Sequence, residues 1–535
     1  ALNRIMQLLQ GMPLAMHLAA AWVNTLSLAE IATQIEMGLD FLETELQDVP
    51  DRHRSIRAVF EYSWASLPDL ERSLFKSLSV FRAGFTSEAA QRVAGATLHM
   101  LAGLVNKSLL VSYPDTGRYE IHELLRQYAQ EQLEADSQAS AAAHEAHAAH
   151  FAEFMQQGSS HLMSHRQKET LAAIERDIEN IRLAWRYALA ERNSAQLVKF
   201  IDGFWLVHDV RGWHRVAIEL FEETIKQLRP ASGDVDTGIV LAKVKMYLGY
   251  FWGIIGNPEY GMSLAEEGAA FLRRRKRHDA LGSGLIGSAI NAMYLNDKTR
   301  LMSLAQEMNA LAKENDDHWW EGTSLNFMAS AFLMQGASEE ASGRIEAARR
   351  IFEEINECYG LTWAALVQGG VALAQGNYLQ AKDFYQRSLK AAHELNYRRP
   401  IQQCYDNLGD VAIHLNEIED AERYFRYSLK ISDETGQTRE ILGTLCDLAR
   451  VWATRDKKSE AVRLLAVVLQ HPTSKLYPFL RSEDIRIRAA AERLQAELKN
   501  VLDPETYQAA LIRGQASRLE AVVSDLLDQA PAAKW

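Results

Sequence analysis

A 40-residue period running from Leu241 to about Gln470 constrains this chain more than any other feature. Three columns of residues return at that interval. The first is Gly249, Ala289, Ala329, Gly369, Gly409 and Ala449, and the third is Gly261, Leu301, Ala341, Ala381, Ala421 and Ala461. Between them runs a second column of Gly256, Asn296, Gly336, Gly376, Asn416 and Asp456. Small residues in the outer columns let two helices approach closely, with Leu301 alone departing. A Gly, Asn or Asp between them supplies the positive φ that ends the first helix. The period predicts six stacked helix-turn-helix units, an α-solenoid.

A chain of 535 residues is long enough for several domains and a continuous core. The net charge of −12 argues against non-specific nucleic-acid binding, because a phosphate backbone calls for a basic partner. Cys358, Cys404 and Cys446 all fall in repeat helices and read as buried thiols of a reducing compartment. No apolar run approaches the roughly 18–20 residues of a membrane span. The apolar stretch Gly11 to Val23 is interrupted by His17 and lacks a basic start, so it is no signal peptide. A cytoplasmic protein is expected. The chain opens on Ala1 within a helical pattern, as the rear of a longer protein would, and its natural end is expected at Trp535.

Residues 1–25 read as two helices broken at Gly11 and Pro13. Helical apolar spacing returns from Arg52 to Val93, broken at Pro68 and Gly84. The period then changes. Leu109 to Tyr113 is strand-like, Pro114-Asp115-Thr116-Gly117 is a turn, Arg118 to Ile121 is a second strand, and His122 opens a helix. Helices followed by a β-hairpin are the outline of a winged helix.

Gly11-Met12-Pro13-Leu14-Ala15 resembles the GLPLA motif of NB-ARC modules, with Met in place of Leu. Ile121-His122-Glu123 sits where that superfamily has Met-His-Asp, and the segments around it resemble the winged helix of AfsR- and MalT-like STAND ATPases. The repeats are similar to the tetratricopeptide-like sensor of the same regulators, and residues 502–527 to their C-terminal cap. The fold class expected is therefore all-α: a helical NB-ARC remnant (1–50) and a winged helix with one β-hairpin (51–135), followed by a tetratricopeptide-like α-solenoid. A helical coupling segment (136–235), including an irregular first pair with Gly212 at its turn, leads into the array (236–477). A short linker covers 230–236, and a cap fills 478–535.

No G-x-x-x-x-G-K-[ST] occurs, so this segment is no P-loop enzyme by itself. The resemblance implies that the full-length protein is a slow ATPase switch using ADP/ATP with magnesium. Pro13 would pack near the adenine or ribose, and His122 would reach the β-phosphate of ADP. A histidine at a helix N-terminus suits that chemistry, although the same residue can simply cap the helix. An inducer (small molecule, peptide or protein) would bind the array, and missing N-terminal NTPase and effector domains would be partners. Nucleotide-dependent self-assembly would follow, with nucleic acid reached only through the effector.

Other motifs read more plainly. Gly282-x-Gly284-x-x-Gly287 matches a dinucleotide fingerprint but lies inside a repeat helix, with no strand before it. His144, His147 and His150 suit a packing or solvated face better than a metal. The run Arg273 to Arg277 ends a helix, where cations favour the dipole. Counted from the first column, Tyr250, Asn326, Trp363, Asp406, Asp410 and Arg450 should line a groove able to take a ligand. The rival readings are a repeat scaffold for protein–protein interaction without a nucleotide switch, and DNA binding by the winged helix.

Overall fold

The computed structural model describes residues 1–42, 55–228, 234–475 and 487–528. Most of the linker expected over 230–236 lies outside them, as do Pro478 and Trp535. Two compact units emerge: residues 1–157 with 172–199, and residues 158–171 with 200–535. The coupling segment expected over 136–235 is thus divided between the two.

In the first unit, α1 (Leu2–Leu9), α2 (Pro13–Ala21) and α3 (Leu28–Met37) precede α4 (Ile56–Ala65) and α5 (Asp69–Leu78). Strand β1 (Phe85–Thr86), α6 (Ser87–Ala94), α7 (Leu98–Asn106), β2 (Val111–Tyr113), β3 (Arg118–Glu120) and α8 (Glu123–Glu134) follow. Then come α9 (Ser137–Leu162) and α10 (Gln167–Arg176), of which residues 158–162 and 167–171 count with the second unit, and α11 (Ile178–Ala190). The helix starts carry side-chain caps: Ser27 in a capping box with Glu30, then Ser55, Thr86 and Thr97. The hairpin forms as expected at Pro114–Gly117, but it belongs to a three-stranded sheet of order β1-β3-β2. Two residues were too few to read as a strand; Phe85 pairs with Tyr119, and their rings stack at 6.2 Å. Arg118 forks onto Asp177 at 2.9 and 2.7 Å, fastening the hairpin to the start of α11. One core joins Ile5, Leu9, Leu18, Ile31 and Ile35 to Phe60, Leu124 and Tyr128. The helices ahead of the hairpin domain are therefore packed onto α4 and α8 rather than strung before them.

In the second unit, α12 (Ser194–Arg211) and α13 (His214–Gln227) form the irregular first pair, with Gly212 at φ 71° in its turn. Six repeats follow: α14 (Val235–Ile254) with α15 (Pro258–Arg274), α16 (His278–Tyr294) with α17 (Lys298–Glu314), and α18 (His318–Met334) with α19 (Ser338–Glu354). The remaining pairs are α20 (Cys358–Ala374) with α21 (Tyr378–Leu395), α22 (Arg398–His414) with α23 (Ile418–Glu434), and α24 (Thr438–Ala453) with α25 (Lys458–Gln470). Helices α26 (Ile487–Val501), α27 (Pro504–Ala516) and α28 (Leu519–Asp528) close the core: Ala510, Val522, Val523 and Leu526 pack with Leu464, Leu465 and Val468. No described helix is long and apolar enough to cross a membrane.

Gly256, Asn296, Gly336, Gly376 and Asn416 have positive φ, as the second column requires. Asp456 does not: the four-residue turn 454–457 leads into α25 without a left-handed residue. A further left-handed column ends the second helices at Lys276, Asp316, Asn356, Asn396 and Gly436. The outer columns meet as expected. A Cβ on Gly249 would lie 2.3 Å from the Gly261 carbonyl oxygen, and Gly409 leaves its space to the Phe425 ring.

Candidate functional site

Helix α12 occupies the side of the array toward which the first helices face. Its Trp205 stacks on Tyr247 of α14 with centroids 5.1 Å apart, and Asp202 pairs with Lys243 at 2.6 Å. The α12–α13 turn also sits against Thr435 and Arg398, and Arg211 donates to the carbonyl of Leu395. A solenoid groove is partly filled by its own preceding helix.

Asp209 is the centre of this contact. Its side chain is fully buried, and its carboxylate accepts from Tyr250 (2.8 Å), Tyr359 (3.2 Å) and Tyr397. Arg399 places its Nε 3.4 Å from Asp209 Oδ1 and donates from Nη2 to the Tyr250 hydroxyl at 2.7 Å. Its guanidinium lies over the Trp363 ring, 4.3 Å from the centroid, and Trp363 Nε1 donates to Tyr397 at 3.0 Å. Burial first, and the negative field of Asp209, push the Tyr250, Tyr359 and Tyr397 phenols well up, so all three are neutral donors.

Beside this cluster a pocket of about 490 Å³, open mouth included, is lined by five successive first helices, α14, α16, α18, α20 and α22. Ile286, Ile290, Met293, Phe327 and Val367 make an apolar wall; Arg399 is its one charged residue. Three of the expected groove residues, Tyr250, Asn326 and Trp363, line it. The other three do not. Arg450 pairs with Asp410, while Asp406 accepts from Ser428 at 3.3 Å and Thr444 at 3.2 Å. They hold the same register in later repeats, beyond this pocket, where Asp406 and Asp410 are buried and Arg450 neutralises Asp410.

Glu357 caps α20, accepting from the backbone N–H groups of Tyr359 (2.8 Å) and Gly360 (2.6 Å). Burial outweighs those bonds and pushes its pKa up to about 7 from 4.5. A carboxyl raised in the folded state contributes stability present below pH 4.5, which is lost as pH rises through 7. Glu357→Gln should flatten that fall, of about 3 kcal/mol at most, in denaturant melts recorded from pH 4.5 to 8.

In the first unit, His122 caps α8: Nδ1 accepts from the Leu124 N–H at 3.3 Å, and Nε2 bonds the Leu9 carbonyl at 3.1 Å. Both ring nitrogens are engaged by the chain itself. The nearby groove carries Glu36, Glu120, Glu123 and Glu179 against Arg4 and Arg126, so a phosphate there meets a predominantly acidic lining. Pro13 opens α2, and its side chain lies outside the described residues.

The remaining motifs are structural. Gly282, Gly284 and Gly287 lie within α16, where a Cβ on Gly287 would come 2.1 Å from the Met246 carbonyl oxygen. His147 is buried between Phe81 and Phe151, and burial pushes its pKa down to about 3. No group of three metal-binding side chains gathers among the described residues. Arg273 pairs with Glu307 and Arg277 with Asp279. Cys404 and Cys446 are buried, but Cys358, at the first position of α20, is exposed. Trp205, Trp319 and Trp320 are core; Trp213, Trp252 and Trp363 are half-buried.

A family model described as the MalT-like TPR region matches residues 286–534. Proteins of Mycobacterium tuberculosis and Mycobacterium bovis, whose names describe an HTH-type transcriptional regulator, are 30% identical over 360 residues. That alignment covers 64% of this chain and 40% of each relative. The solved structure of a Pyrococcus horikoshii STAND protein with a tetratricopeptide repeat sensor is similar in fold, with a TM-score of 0.50 at 16% identity, over 96% of this chain and 74% of that one. Residues 286–534 thus carry a MalT-like tetratricopeptide region, and the chain shares its fold with a STAND protein that has a tetratricopeptide repeat sensor. The chain spans 40% of the length of the curated relatives it matches. The MalT-like region, residues 286–534, includes the α18, α20 and α22 walls of the pocket.

Proposed function

We propose that this chain is the regulatory and sensing part of a STAND-type transcriptional regulator, and that an inducer bound on the array controls an ADP/ATP switch. The observation that carries the reading is the pocket shared by five successive first helices and abutting the Asp209 cluster of α12. An occupant there touches repeats far apart in sequence, so its differential affinity can bias the whole array between two arrangements. In the resting state ADP and magnesium are held mainly by an NTPase domain outside this segment, with Pro13 and His122 closing over the nucleotide. His122 already joins α8 to the end of α1, two residues ahead of Gly11-Met12-Pro13, so one side chain ties both motifs together. To reach a phosphate it gives up the Leu9 carbonyl. Inducer binding then favours nucleotide exchange, self-assembly and release of an effector, in the cytoplasm.

The test is His122→Ala in the protein extended through the domain that precedes this segment. A switch becomes constitutive, with assembly and reporter transcription independent of inducer. A plain scaffold keeps its behaviour unchanged, and that result sinks the reading.

A further inference from the structure

We propose that the pocket beside Arg399 binds a small monocarboxylate with an apolar body, the carboxylate resting on Arg399 and Asn326. The proposal deepens the sensor reading and depends on it for its biological meaning.

The polar groups decide the class of ligand. Arg399 is 3% exposed, yet its Nη1 has no hydrogen-bond partner among the described residues. Nη2 is used by Tyr250, and Nε faces Asp209 at 3.4 Å without forming a hydrogen bond. Three phenols take up most of the accepting capacity of Asp209, and Nη1 of the guanidinium is not among the groups bonded to it. A buried guanidinium that lines a pocket and keeps an unused donor calls for an acceptor, and an anionic one binds most strongly. Asn326, 9% exposed, lines the same pocket and leaves its Oδ1 without a partner. Its terminal amide can turn to present either a donor or an acceptor to the occupant.

The rest of the lining excludes the alternatives. A cation is repelled by Arg399. A phosphate dianion needs several donors, but the Gly360 N–H at the same pocket is spent on Glu357. A sugar needs many polar contacts, and Ser330, one of the few hydroxyls here, already donates to the Asn326 carbonyl. Ile286, Ile290, Met293 and Phe327 offer only apolar surface to the remainder of the molecule. Arg399 also stands in the first turn of α22, where the helix dipole disfavours a cation and favours an anion placed on it.

The probes are phenylacetate, hexanoate and indole-3-acetate, each titrated into the purified chain beside its own uncharged amide. Binding is read by isothermal calorimetry and, for the first two, by tryptophan fluorescence, because Trp363 lies against Arg399. At least one carboxylate should bind tenfold or more tightly than its amide, without competition from inorganic phosphate. Asn326→Leu should weaken that carboxylate several-fold with an unchanged melting temperature. The paired change Asp209→Asn with Arg399→Gln, which strands no charge, should erase the preference for carboxylate. If no carboxylate is preferred over its amide, or if the preference survives the paired change, the proposal is overturned. The sensor reading fails separately: a carboxylate that binds here while the His122→Ala switch test shows no effect leaves the pocket and removes the regulation.

Discussion

Asp209→Ala should destabilise the second unit by about 3–5 kcal/mol in urea or guanidinium unfolding. The change removes the carboxylate that three phenols and Arg399 surround, and it leaves the guanidinium buried in a site with little else to balance it. The loss comes less from the ion pair's intrinsic strength than from the stranded charge. Asp209→Ala combined with Arg399→Met should therefore recover a substantial part of it, and a double-mutant cycle measures the coupling. Additive single losses would mean that the two groups do not depend on each other. Because Asp209 comes from α12 while Tyr359, Tyr397 and Arg399 come from repeats 150–190 residues later, the same experiment measures how firmly α12 is held in the array.

The second large effect is expected at Gly287. An added Cβ would meet the Met246 carbonyl oxygen at 2.1 Å, a backbone atom that no change of rotamer can move aside. Gly287→Ala should force α14 and α16 apart at a cost of about 1–3 kcal/mol or more. Gly282, five residues earlier in the same helix, meets nothing closer than the Leu311 side chain at 3.6 Å. There the alanine should stabilise, by about 0.5–1 kcal/mol, because it removes the entropic penalty of a helical glycine. Opposite signs within one G-x-G-x-x-G establish packing as the reason for the motif. Equal losses at both positions would contradict the close-approach account. Thermal melts of the two variants decide between them.

The array was legible because its constraints are local and repeat six times. A left-handed turn residue and a small contact residue each leave a mark at fixed spacing, and Gly249, Gly256 and Gly261 carry all three marks in one repeat. The second left-handed column was missed because Lys276 and Asp316 do not announce positive φ as glycine does. The pocket was half legible. Register from the first column brings Tyr250, Asn326 and Trp363 to one face, and all three line the pocket. The same arithmetic could not separate them from Asp406, Asp410 and Arg450, which are engaged by neighbours that only the fold supplies: Asp410 and Arg450 by each other, Asp406 by the Thr444 hydroxyl. Asp209 carried a faint signal, as an acid amid the apolar run of α12. Arg399 carried none: beside Arg398 and Pro400 it reads as an ordinary helix start, and its partner lies 190 residues away. Glu357 was silent for a similar reason, because burial rather than sequence sets its pKa. At His122 the motif pointed to the residue, and the structure supplied its cap on α8 and its bond to Leu9.

Nucleotide content of the longer protein proposed above, with its NTPase domain, tests the central claim most directly. The purified protein would be denatured and its released nucleotide identified by ion-exchange chromatography. The account predicts close to one ADP per chain in the resting protein, and much less in His122→Ala. A folded, extended protein that releases no nucleotide, or that holds ADP equally well without His122, would contradict it.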